Sequence, residues 1–169
     1  MITETGVAPR SETVFKKIDH IAIAVRELDS AIRFFSEQLG FTLVRRLSVT
    51  GQRTGMISAE MIHGDIKFVL CQGTEPASQV SQLIANYGAG VAHIALATDD
   101  VEAVAADLAQ KGLTFDTTVI NGSGLKQIFS SRDANIGVSF EFIERRGEEG
   151  FLEENVQELF DQLERSGAY

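Results

Sequence analysis

A short pattern containing one histidine occurs twice in this chain, and that repetition limits its folds more than any other feature. Ile18-Asp-His-Ile-Ala-Ile-Ala-Val25 returns as Val91-Ala-His-Ile-Ala-Leu-Ala-Thr98. Each copy reads as a strand and runs into a helix-like stretch, 27–39 after the first and 100–111 after the second. Each stretch stops at a glycine, Gly40 or Gly112, the residue that most readily takes the left-handed conformation ending a helix. Strand candidates follow at 41–48, 54–62 and 66–71, the last two joined by a turn at His63-Gly64-Asp65. The second copy is followed by 115–120, 125–130 and 138–143, separated by Asn121-Gly-Ser-Gly124 and Arg132-Asp-Ala-Asn135. The unit is β-α-β-β-β, twice over. A linking helix is predicted over 79–87, and a last amphipathic helix over 153–164 carries Val156, Leu159, Phe160 and Leu163 at helical spacing.

The expected fold is α+β. Two βαβββ modules, about 16–73 and 89–145, curl into one cupped, barrel-like sheet with helices outside, and a C-terminal helix, about 153–165, closes the cup. Residues 16–169 form one domain behind a flexible N-terminal tail, 1–15, since 169 residues suffice for one sizeable core and not comfortably for two. A net charge of −9 repels phosphate backbones, so nucleic acid is not an expected partner. No apolar run approaches the roughly 18 residues of a membrane span, and the polar start lacks the apolar core of a signal peptide. The one cysteine, Cys71, cannot form an internal disulfide. A cytoplasmic location is the expectation.

Strand parity decides where the histidines point, because alternate side chains face opposite ways. His20, Ala22 and Ala24 share one face, opposite Ile21, Ile23 and Val25; His93, Ala95 and Ala97 do likewise, opposite Ile94, Leu96 and Thr98. The bulky faces suit packing against helices, and an imidazole followed by two methyl groups leaves room for something else. In the last strand Ser139, Glu141 and Ile143 oppose Val138, Phe140 and Phe142. A carboxylate in so apolar a strand requires a cation or strong donors beside it. Two imidazoles and one carboxylate with open positions form the facial triad associated with non-haem Fe(II) chemistry, a set that also accepts Mn, Co, Ni or Zn. His63, in a hairpin turn, is expected to be solvated, and Glu144, of opposite parity to Glu141, to be a surface charge.

These residues resemble the vicinal-oxygen-chelate (glyoxalase/bleomycin resistance/dioxygenase) superfamily, and more closely the catalytic C-terminal half of the 4-hydroxyphenylpyruvate dioxygenase and hydroxymandelate synthase branch. The resemblance runs from Ile18 to Glu164, and is carried by Ile18-Asp-His-Ile, Thr54-Gly-Met-Ile-Ser-Ala-Glu-Met61, 90–100, Leu125-Lys-Gln-Ile-Phe129, Phe140-Glu-Phe-Ile-Glu-Arg145 and 150–160. It implies His20, His93 and Glu141 as metal ligands and Gln127 as a glutamine beside a metal-bound oxo acid. It implies Ser58 and Gln79 in the pocket, Phe129 and Phe151 as aromatic walls, and Asn155 on a helix that closes the site. The chain departs from the branch at Cys71, where an asparagine is usual, at Ala92, where a glutamine is usual, and at Val156, where a phenylalanine is usual.

The implied activity is a non-haem Fe(II)-dependent dioxygenase acting on a 2-oxo acid, with O2 as co-substrate: oxidative decarboxylation with hydroxylation of the same substrate. Fewer polar groups than the branch carries favour a 2-oxo acid other than 4-hydroxyphenylpyruvate itself. An alternative is a metal-dependent epimerase or isomerase similar to methylmalonyl-CoA epimerase, with Fe(II) replaced by Co, Mn, Ni or Zn and Glu60, of the same parity as Ser58, as proton-moving base. Against that alternative, no basic cluster for coenzyme A phosphates is evident. A third is a non-catalytic small-molecule binding or resistance protein, for which an intact ligand triad would be superfluous. Uncovered sheet edges lead to the expectation of a homodimer.

Overall fold

The computed structural model describes residues 14–167. The expected tail, 1–15, lies outside these residues except for Val14 and Phe15, and Phe15 stacks on Phe142 with ring centroids 5.6 Å apart.

Strand β1 (Lys17–Ala24) leads into helix α1 (Leu28–Arg33), and strands β2 (Thr42–Thr50), β3 (Gly55–His63) and β4 (Ile66–Gly73) complete the first module. Helix α2 (Gln79–Tyr87) links to the second: β5 (Gly90–Ala97), α3 (Val101–Gln110), β6 (Ile120–Gly122), β7 (Leu125–Phe129) and β8 (Ser139–Arg145). Helix α4 (Glu153–Ser166) follows. All eight strands form one sheet in the order β2-β3-β4-β1-β5-β8-β7-β6. Its two halves mirror each other: β1 lies parallel to β4, β5 lies parallel to β8, and an antiparallel β1–β5 pairing joins the modules. The expected α+β architecture, one curled sheet with a C-terminal helix, is borne out.

The core is layered as strand parity requires. Behind the first module Leu28 and Phe35 pack against Ala59, Met61 and Leu70, and behind the second Val101 and Val104 pack against Ile128 and Phe142. Inside the cup Val156 and Phe160 of α4 meet Val49, Ala95, Leu125 and Ile143. Helix α4 touches both outer strands, β2 and β6, and so spans the open side of the curl. Glycines allow it to seat. A Cβ on Gly122 would collide with the Asn155 amide oxygen and stand 2.7 Å from Leu152, and one on Gly51 would meet Glu164 and Phe160.

Three expectations need correction. The helix expected over 27–39 is a single α-helical stretch to Arg33 followed by a π-helical turn, Phe34–Gln38. The wider turn adds a residue without lengthening the helix, and Phe35 there packs on Phe41 and Phe68 at 5.3 and 5.1 Å. The strand expected over 115–120 is a lone Phe115–Ser130 bridge and then β6. Between them the Thr117 hydroxyl, not a backbone carbonyl, accepts the Phe129 N–H at 3.1 Å. Glu144 is no surface charge. It is 4% exposed, and its carboxylate accepts the Val101 N–H at 3.0 Å, because β8 runs beside β5 and brings it under the N-terminus of α3. Both helix-ending glycines are as expected, with φ of 75° at Gly40 and 95° at Gly112.

Candidate metal centre

Three neighbouring strands deliver the three candidate ligands. Ala95 of β5 lies across from His20 of β1 on one side and Glu141 of β8 on the other, while His93 is opposite Ala22. Each imidazole therefore faces a methyl group across the ladder, and the space above these alanines lets the three polar side chains meet. Glu141 Oε2 lies 3.1 Å from His20 Nε2 and 3.1 Å from His93 Nε2, and the candidate ligand atoms all fall within 4.8 Å of one another. Bonds of about 2.1 Å at right angles put adjacent donors about 3 Å apart, which the two Glu141–histidine separations match.

The protonation pattern points the same way. Asp19 accepts a hydrogen bond from His20 Nδ1 at 2.8 Å, and Arg145 grips Asp19 through Nε at 2.8 Å and Nη2 at 2.9 Å. With Nδ1 carrying the proton, a neutral His20 turns a lone pair toward the Glu141 carboxylate, an opposition that a cation between them resolves. Without one, charges rearrange. Burial disfavours a charged His20, but Glu141 and Asp19 outweigh it and raise its pKa. Burial likewise opposes ionisation of Glu141, and the two imidazoles overturn it, holding the carboxyl well below its usual range. His93 goes the other way: burial dominates and lowers it. Burial also opposes ionisation of Asp19, and His20 and Arg145 prevail.

Gln127 Nε2 donates to Glu141 Oε1 at 2.7 Å, and Asn155 Nδ2 donates to Gln127 Oε1 at 3.1 Å and to the Leu125 carbonyl at 3.2 Å. Phe151 sets its ring edge-on to His20 with centroids 4.8 Å apart, and Phe129 does the same to His93 at 5.4 Å. The strap before α4 is tied down by cations from three strands. Arg145 donates to the carbonyls of Glu148 and Gly150, Lys67 to that of Glu149, and Arg45 to that of Phe151.

An inner cavity of ≈ 60 Å³ holds the triad together with Ser58, Glu60, Cys71, Gln127, Phe129 and Phe151. An outer chamber of ≈ 140 Å³, mostly apolar, adjoins it and shares Cys71, His93 and Phe129; Gln79 and Arg132 line this chamber. The structure thus gathers most of the residues named from sequence around the triad. Two stand apart: Gln79 lines only the outer chamber, and Asn155 sits behind Gln127. Buried nitrogens of Gln79 (Nε2) and Arg132 (Nε) have no partner among the described residues. Burial pushes the Cys71 thiol up to about 12. His63 is exposed, its Nδ1 3.0 Å from the Gly40 carbonyl. Sequence reasoning missed Asp19 and Arg145. The acid beside His20 was a usable signal, whereas the arginine lies 126 residues away.

Residues 17–142 match the model of the Glyoxalase/Bleomycin resistance protein/Dioxygenase superfamily, and the chain belongs to that superfamily. Among curated relatives it is 29% identical to the 4-hydroxyphenylpyruvate dioxygenase of Pseudomonas aeruginosa, over 87% of this chain and 51% of the relative. It is also 29% identical to Hemolysin VllY of Vibrio vulnificus, over 92% of this chain and 54% of that protein. The chain therefore spans about half the length of these curated relatives. Among solved structures, a mutant 4-hydroxymandelate synthase from Streptomyces coelicolor superposes with a TM-score of 0.81 over 89% of this chain and 54% of that one, at 22% identity, a likeness of fold. A methylmalonyl-CoA epimerase from the same organism superposes with a TM-score of 0.65 at 29% identity, over 78% of this chain and 98% of that one. Among the described residues no helix is long and apolar enough to cross a membrane.

Proposed function

We propose that this chain is a non-haem Fe(II)-dependent dioxygenase that decarboxylates a 2-oxo acid oxidatively and hydroxylates the same substrate, with O2 as co-substrate. The donor set carries this reading: two Nε2 atoms and one carboxylate oxygen converge on one side of an apolar cavity. Fe(II) held there would supply a Lewis-acid centre with positions left over for a chelating oxo acid and for O2. The chain's own residues do the rest. Asp19 and Gln127 fix the orientation of His20 and Glu141, Phe129 and Phe151 keep water from the imidazoles, and α4 covers the mouth. Ser58 and Cys71 stand in the inner cavity and Gln79 in the outer chamber, where they would meet the substrate. The curated 4-hydroxyphenylpyruvate dioxygenase of Pseudomonas aeruginosa, aligned over 87% of this chain, supports the oxidative branch. Anaerobic loading with Fe(II) followed by a panel of 2-oxo acids tests it. Turnover should require O2 and release CO2 in step with O2 uptake, and turnover without O2 would end the proposal.

One observation favours a second reading, a metal-dependent epimerase or isomerase. Glu60 faces the inner cavity, and burial raises its pKa despite Lys67, Arg45 and Arg145 nearby, which suits a proton carrier. In that case activity survives strict anaerobiosis, and Glu60→Gln stops exchange of solvent deuterium into the substrate.

A further inference from the structure

The second oxygen of Glu141 is already spoken for. Its Oε2 faces both histidines, while Oε1 receives the Gln127 amide at 2.7 Å. The direction of this chain of amides is fixed at both ends by groups that only accept. Glu141 Oε1 accepts the NH2 of Gln127, which leaves the Gln127 carbonyl facing Asn155. The Leu125 carbonyl demands the NH2 of Asn155, which the same nitrogen satisfies while also donating to Gln127. The orientation has a cost that marks it as imposed: Asn155 Oδ1 is buried and has no partner among the described residues. Asn155 is 1% exposed and belongs to α4, not to the sheet.

We infer that Gln127 and Asn155 are positioning residues that confine Glu141 to one-oxygen coordination, and that this confinement exists only while α4 is seated. The inference rests on the metal-centre reading above. An ion bound through His20, His93 and a single oxygen of Glu141 keeps three of six positions open, whereas a two-oxygen Glu141 would leave two. A ligand that grips through two atoms would then leave one position free in the first case and none in the second. Withdrawing Asn155 frees the Gln127 amide to turn, and Glu141 Oε1 loses its donor. The hydrogen-bond chain thus ties the number of open positions to the closure of the cup.

Infrared difference spectra of the Zn(II)-loaded minus metal-free protein, with glutamate carboxyls labelled with 13C, read this directly. The gap between the two carboxylate stretches widens relative to a free carboxylate for one-oxygen binding and narrows for two. The wild-type chain should show the wide gap; Gln127→Ala and Asn155→Ala should shift it to the narrow one and weaken Zn(II) about ten- to hundredfold, the usual loss on removing a partner of a metal ligand. Asn155→Asp tests direction. It keeps the shape but reverses the polarity, drawing the Gln127 NH2 away and turning its carbonyl on Glu141, so it should weaken Zn(II) more than Asn155→Ala does. A residue that merely fills space predicts the opposite order. If Gln127→Ala does not fold, Asn155→Ala reads the same gap from the helix. A narrow gap in the wild type, or an unchanged gap in the variants, overturns the inference while leaving the metal centre intact. Failure of the wild type to bind Zn(II), with no metal-induced carboxylate change, overturns both.

Discussion

At His20 one imidazole faces an acid at each nitrogen, Asp19 at Nδ1 and Glu141 at Nε2. In the metal-free protein both acids favour the imidazolium, and His20 is raised above its ordinary 6.5. A raised group stabilises the fold fully below its unfolded value and loses that contribution as pH rises through the folded one. Thermal melts of the metal-free chain should therefore show Tm falling as pH climbs from 6.5 into the alkaline range, with the metal-loaded chain showing no such fall; a flat metal-free profile would count against the pairing. Metal binding must expel that proton, so affinity should drop as pH is lowered through the same raised value. Replacing His20, His93 or Glu141 by alanine should abolish stoichiometric binding, measured by metal analysis, while circular dichroism stays near wild type. Full metal content in Glu141→Ala would sink the triad. Cys71, with its thiol pushed up to about 12, should resist alkylation in the folded chain at about pH 8, where an ordinary thiol of pKa ~8.5 reacts.

Helix α4 is an amphipathic element whose buried face, Val156 and Phe160, packs on the concave side of the sheet. Its seat depends on Gly122, where a side chain would collide with Asn155 and Leu152. Gly122→Ala should cost about 1–3 kcal/mol in urea unfolding, the usual price of overpacking, and should speed amide exchange across α4. Exchange there unchanged from wild type would mean that the helix seats by other means. The helix itself was legible in the sequence, because its apolar residues recur at helical spacing. So were both strand openings, because parity sets His20 and His93 opposite the bulky residues of their own strands and Glu141 opposite the phenylalanines of its own. What stayed hidden was tertiary. No local pattern says that Glu144 will lie beneath α3, that Arg145 will reach Asp19, or that Thr117 will stand in for a ladder carbonyl. The π-helical turn was hidden for the same reason, since nothing in Phe34-Phe35 read alone tells which ring turns inward.

Across the whole molecule the sheet ends in two edges, and α4 covers one of them only in part. Gln157 Nε2 donates to the Thr50 carbonyl at 3.1 Å, while Leu43 and Val44 near the other end of β2 are exposed. An uncovered edge with apolar side chains invites pairing, and we expect a homodimer. Light scattering should give twice 18.4 kDa, and Val44→Lys should reduce it. A monomeric mass for the wild type at working concentration would reject this.

The candidate ligands are also divided between the two halves of the sheet. His20 belongs to the first module, His93 and Glu141 to the second, and the β1–β5 ladder is the seam between them. Neither half alone owns enough donors to hold an ion firmly. The ion would thus act as a rivet across a joint, adding to the association of the halves whatever free energy its binding releases. Cut in the connection between Gly73 and Ser78, the chain would become two fragments whose reassembly is metal-assisted and undone by a chelator.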